Sequence, residues 1–187
     1  EGLESMVPVL DQIVKSANKD KIENIMMGMA HRGRLSVLAH VLGKPFDTIF
    51  SEFHHAPDKE LIPSEGSMGI NYGWTGDVKY HFGGTRVVEN DQAATRGSTR
   101  AAQDERSEKG YSKQDINKAI SGLIYGDAAF IGEGIVPESL NLSGIDAYNV
   151  GGTLHIIANN LVGFTTDRKE SRSTRYTSDL AKGYEIP

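Results

Sequence analysis

The sequence contains no cysteine. Disulfides and thiolate metal sites are therefore excluded, and the composition fits a reducing compartment. No apolar run approaches the ~20 residues of a membrane span, so no segment is expected to cross a membrane. Positive charge is in deficit, with 20 Lys and Arg against 25 Asp and Glu and a net charge of −5. A general nucleic-acid surface is unexpected in such a chain. There is no initiator methionine: the chain opens at Glu1, so it is expected to begin inside a longer protein. Internal repeats and low-complexity segments are also missing. What is present is 187 residues, 38% apolar and 24% charged, enough for one domain with a real core.

Hydrophobic spacing predicts the elements. Leu3, Met6, Val7, Leu10, Ile13 and Val14 fall at helical spacing. Pro8 suits only an early turn, so this helix starts near Ser5. "IENIMMGM" (22–29) reads as a buried strand. "SVLAHVL" reads as a helix stopped by Gly43, with Pro45 just beyond. Phe46, Ile49, Phe50 and Phe53 return to helical spacing. Residues 56–76 are rich in Gly, Pro and Ser and read as a long loop, a common place for function. "DVKYHFGG" suggests a short strand, and 97–110 suggests a polar helix ending at Gly110. "KAISGLIY" as a strand, "IVPESLNLSG" as a helix and "GGTLHIIANN" as a strand make a β-α-β unit. The expected fold is therefore α/β, a parallel sheet flanked by helices.

Ligands of open parallel sheets bind at the carboxyl ends of strands. Two such ends carry hard oxygen donors. Asp127, in the glycine-flanked "GDAAFIGEG", follows the strand 118–125, and Asn160 follows the strand 152–158. A carboxylate and an amide oxygen on one edge would form part of a Mg²⁺ shell that phosphates complete. The plainer alternative is that Asp127 caps the next helix and Asn160 closes a turn. His40 and His155 lie within apolar patterns and read as packing residues. The His54–His55 pair reads as solvated, with no third ligand evident for a metal.

The stretch from Gly126 to Thr166, with Gly-Asp at one end and Asn159-Asn160 near the other, resembles the thiamine diphosphate motif. "GMAHRGRLSVLAHVLGKPFDTIFSEF", "GDVKYHFGG" and "ESRSTRYTSDLAKGYEIP" resemble the first, decarboxylating component of 2-oxoglutarate dehydrogenases, and the resemblance covers nearly the whole chain. It implies that residues 1–187 are part of a diphosphate-binding domain, without the pyrimidine-binding and C-terminal domains. It implies thiamine diphosphate and Mg²⁺ as cofactors. Asp127 and Asn160 would bind the metal through side chains and Val162 through its carbonyl. Ala128 and Ala129 would line the diphosphate site, and Arg32 would contact the cofactor. His31 would be an acid–base group, and His81 would hold the 2-oxo acid. The implied reaction decarboxylates 2-oxoglutarate and passes the succinyl group to a lipoyl-bearing dihydrolipoyl succinyltransferase component, within the tricarboxylic acid cycle. A homodimer is implied, in a bacterial cytoplasm or a mitochondrial matrix, with no nucleic acid and no membrane.

Two departures stand against that pattern. The family carries an "NPSHLE"-type segment between "KYH" and "GSxRA", whose serine and leucine help hold substrate and cofactor. Here only "FGGTRVVENDQAATR" separates His81 from Gly97. The glutamate that activates the aminopyrimidine belongs, in this family, to a domain beyond Pro187. A noncatalytic regulatory or assembly role, and a 2-oxoglutarate decarboxylase or carboligase, therefore stand as alternatives. A phosphate-binding P-loop does not fit "VLGKPF": Pro45 replaces the needed Ser or Thr, and Leu38 stands where the first glycine belongs. A dinucleotide fingerprint does not fit either, because the second glycine of "GDAAFIGEG" comes too late.

Overall fold

The computed structural model of the chain describes residues 3–30, 32–54, 99–105 and 113–187. Its centre is a three-stranded parallel sheet. The strands are β1 (Asn24–Met29), β4 (Ala119–Gly126) and β5 (Thr153–Ala158), in the order β1-β4-β5. β1 runs beside β4 with Asn24 opposite Ala119 and Met29 opposite Ile124. β5 lies on the other side, with Ser121 opposite Thr153 and Gly126 opposite Ala158. The central strand, "AISGLIYG", is apolar almost throughout, as a strand covered on both faces must be.

Alternation along β4 and β5 divides the core in two. Ile124 and Ala158 face a cluster built with Met6 and Leu10 of α1 (Met6–Lys19) and Val37 of α2 (Arg34–His40). Their chain neighbours Tyr125 and Ile157 face the opposite cluster. There Phe130 of α5 (Asp127–Gly132) packs with Val136 and Leu140 of α6 (Ile135–Leu142) and with Leu180 of α8 (Asp179–Lys182). Helices thus cover both faces, and the expected α/β class is the observed one. The long stripe of α1 forms as its spacing predicts, with Pro8 in the first turn. α2 ends just before Gly43, whose φ is +69°. α3 (Phe46–His54) also forms as its spacing predicts. No helix among the described residues is long and apolar enough to cross a membrane.

Three expectations are corrected. The polar helix expected over 97–110 is only α4 (Thr99–Gln103) in its described part. Gln103 is fully buried, and its amide nitrogen donates to the carbonyls of Ala119 (2.7 Å) and Val150 (2.9 Å). Gln114 donates to its amide oxygen at 2.8 Å. The chain then extends, and β2 (Asp104–Glu105) pairs antiparallel with β3 (Lys113–Gln114). Continuing the helix would forfeit that pairing. Second, "GDAAFIGEG", whose flanking glycines suggest a turn that lets backbone approach a diphosphate, is not an open turn. Its middle folds into α5, because Ala128, Ala129 and Phe130 tolerate helix and Phe130 gains a buried site. Third, His40 is exposed at the end of α2, with its ring edge-on to Phe46 at 5.7 Å, so it packs only at the surface. The loop 56–76, the strand expected at "DVKYHFGG" and the side chains of His54 and His55 lie outside the described residues.

His155 does pack as expected. Its ring stacks on Tyr125 at 5.8 Å, with Nδ1 3.3 Å from the Tyr125 hydroxyl. Burial holds this imidazole below its ordinary 6.5 and raises the Tyr125 phenol above 10.0. A histidine whose folded value is depressed favours folding fully only where it is neutral in both states. Its stabilisation is therefore present above pH 6.5 and is lost as pH falls below that value. Urea midpoints of the full-length protein are expected to drop between pH 7.5 and pH 5 by less in His155→Gln than in the parent. An equal drop in both proteins would remove His155 from the account.

Candidate functional site

Parallel strands end on one edge, so residues that follow different strands can meet there. The turn after β1 holds Arg32. Asp127 directly follows β4, and the segment 159–166 follows β5. Arg32 joins all three. Its Nη1 donates to Asp127 Oδ1 at 2.6 Å and to the Ala158 carbonyl at 3.2 Å, while Nη2 donates to the Val162 carbonyl at 2.6 Å. The Arg32 and Asp127 side chains are only 16% and 5% exposed, so the pair is sheltered from bulk screening. A planar fork with two nitrogens on different acceptors fixes its charge between the strand ends, which a lysine could not do.

Two glycines make this approach possible. A Cβ on Gly126 would lie 3.1 Å from Arg32 Nη1, so the guanidinium would have to shift by a few tenths of an ångström. Gly33 takes φ +75° at the start of α2, where a Cβ would also strike Met6. The "Gly-Asp" pair is thus one device: the glycine clears a slot and the aspartate receives the cation. Asp127 is the first residue of α5 and directs its carboxylate to Arg32, so it is not the capping residue of the plainer alternative.

Asn160 does fit its plainer alternative. Its Oδ1 accepts the Val162 N–H at 3.2 Å, as Asn159 Oδ1 accepts the Leu161 N–H at 3.3 Å. This turn aims the Val162 carbonyl at Arg32. The loop is strained: Leu161 and Phe164 adopt φ of +63° and +57°, which costs a non-glycine residue about 1–2 kcal/mol. It is closed by the pairing of Gly163 with Thr166. Phe164 is 98% exposed beside it. Such strain gathers at functional sites and gives no simple signal in sequence.

The structure therefore brings Arg32, Asp127, Asn160 and Val162 together at one sheet edge. Ala128 and Ala129 follow Asp127 on α5, half-buried. His31 and His81 lie outside the described residues. Among the described residues no group of three or more His, Cys, Asp or Glu could hold a metal. The Arg32–Asp127 contact was not expected. The signal was available, since "HRGR" follows the 22–29 strand directly, but it required knowing that β1 lies next to β4.

Fold and site together define an α/β domain whose parallel strands deliver a charge-paired cluster to their carboxyl edge. Across residues 1–187 the chain matches the family described as dehydrogenase E1 component, and it belongs to that family. It is 65% identical to the 2-oxoglutarate dehydrogenase E1 component of Oceanobacillus iheyensis, 56% to that of Bacillus subtilis and 53% to that of Geobacillus kaustophilus. Each comparison covers 100% of this chain and 22% of the relative, so the chain spans about a fifth of their length. Each alignment runs over 206 positions, 19 more than the 187 residues here. The relatives therefore carry internal positions that this chain lacks, as the short connection between His81 and Gly97 suggests.

Proposed function

We propose that this chain is the diphosphate- and Mg²⁺-binding part of a thiamine-diphosphate-dependent enzyme that decarboxylates 2-oxoglutarate. The full-length protein would pass the succinyl group to a lipoyl-bearing dihydrolipoyl succinyltransferase partner, in a bacterial cytoplasm and as a homodimer. The observation that carries the reading is the convergence of the Asp127 carboxylate and the Val162 carbonyl on one positive charge at adjacent strand ends.

The donor set suits Mg²⁺. Asp127, Asn160 and the Val162 carbonyl offer only hard oxygens, and one carboxylate leaves coordination positions for phosphate oxygens. The guanidinium of Arg32 stands in as a cation at two of these oxygens. Asn160 would have to exchange its bond to the Val162 N–H for the metal, or share the oxygen between them. Ala128 and Ala129 are small enough to let a diphosphate approach α5.

When bound, thiamine diphosphate supplies the electron sink for loss of CO₂. This chain's residues bind and polarise. Arg32 offers a forked donor to an anionic oxygen. By the resemblance, His31 acts as an acid–base group and His81 binds the 2-oxo acid; a neutral or protonated imidazole suits either task.

The full-length protein is expected to release CO₂ from 2-oxoglutarate only with both thiamine diphosphate and Mg²⁺ present. His31→Ala and His81→Ala should each cut that release while leaving cofactor affinity nearly unchanged. Cofactor binding without any CO₂ release would favour the noncatalytic reading that the 19 absent positions motivate. Absence of cofactor binding would end the enzymatic reading.

A further inference from the structure

We propose that Arg32 is a resident counter-ion of this site, competing with Mg²⁺ for Asp127 and Val162. Metal loading then requires the guanidinium to leave, and a diphosphate arriving with the metal gives it somewhere to go. The inference rests on the reading above, in which these oxygens take Mg²⁺.

The geometry carries the competition. Nη1 and Nη2 each hold one of the two oxygens at 2.6 Å, so the fork spans the gap in which a shared ion would sit. Mg²⁺ demands oxygens at about 2.0–2.1 Å in near-ideal octahedral geometry. A guanidinium left on the same oxygens would crowd that shell and repel a divalent ion, most strongly on the sheltered Asp127 side. The pose is also built into the backbone. Gly126 keeps the slot clear, since any Cβ there would meet Nη1 at 3.1 Å. The Ala158 carbonyl adds a third acceptor at 3.2 Å.

A consequence concerns the order of loading. Bare Mg²⁺ must displace a forked charge pair and leave Arg32 without an anionic partner. Mg²⁺ with a diphosphate displaces the same pair but provides anionic oxygens for the freed guanidinium. The two ligands should therefore bind with positive coupling, and Arg32 should be the residue through which the coupling acts.

The test is calorimetric titration of the full-length protein with MgCl₂ alone, and with thiamine diphosphate at saturating Mg²⁺. In R32Q, bare Mg²⁺ is expected to bind about 10-fold tighter and thiamine diphosphate about 10-fold weaker, with the coupling between them lost. These opposite signs separate competition from general damage, which would weaken both. R32K keeps a charge but cannot fork onto two oxygens, so it should fall between and carries the test if R32Q is unstable. Bare Mg²⁺ binding no tighter in R32Q and R32K, yet abolished in D127N, would overturn the counter-ion and leave the metal site standing. Mg²⁺ binding indifferent to D127N would instead overturn the metal site itself.

Discussion

Replacing Asp127 should separate the structural role of its carboxylate, the pairing with Arg32, from the metal-binding role proposed for it. In Asp127→Ala the full-length protein is expected to lose about 3–5 kcal/mol of stability, because the largely buried guanidinium of Arg32 keeps only carbonyl partners. Asp127→Asn retains the shape and an acceptor oxygen for Nη1, so its stability loss should be clearly smaller. Metal binding should not recover in the same way. An amide lacks the formal charge that a lone protein carboxylate supplies, and both variants should lose more Mg²⁺ affinity than the roughly 10–100-fold that removing an outer-shell partner costs. Urea midpoints and Mg²⁺ titrations on the two variants give the comparison. Equal stability loss with intact Mg²⁺ binding would make Asp127 a purely structural anchor.

Much of this arrangement is legible in the sequence. Strands 22–29, 118–125 and 152–158 were visible as apolar runs of the right length, and parallel pairing followed from the helix between the last two. A shared edge for Asp127 and Asn160 required the two strands to be adjacent, and the structure places β4 next to β5. What was not legible depended on contacts between distant residues. Nothing local in "TRAAQDE" says that the helix must stop at Gln103; the reason is a buried amide bonded to Ala119 and Val150, which are 16 and 47 residues away. The two alanines of "GDAAFIGEG" permit helix, but six residues do not fix one; what fixes it is the buried site that Phe130 fills. Arg32 carries the same lesson in reverse. A family resemblance assigned it to a cofactor, but the residues it holds are set by strand order, which a single sequence does not display.

Phe130 is where packing and site geometry meet, and its truncation should show both. The side chain is 1% exposed and sits edge-on to Tyr125 at 5.2 Å, against Val136 and Leu140. A helix of six residues has no stability of its own in water, so α5 is held by what it buries. Phe130→Ala is expected to cost about 3–5 kcal/mol, the usual range for a buried aromatic that leaves a cavity. Phe130→Leu keeps much of the apolar volume and should cost markedly less. Because Asp127 begins the same short helix, the alanine variant should also bind Mg²⁺ more weakly, while the leucine variant should bind nearly as the parent does. Urea unfolding with an unchanged slope would assign the shift in midpoint to stability rather than to altered compactness. A loss below about 1 kcal/mol in Phe130→Ala would mean that α5 is fixed by something other than this contact. The Arg32–Asp127 pair would then be the leading candidate, since it ties the first residue of α5 to the turn after β1.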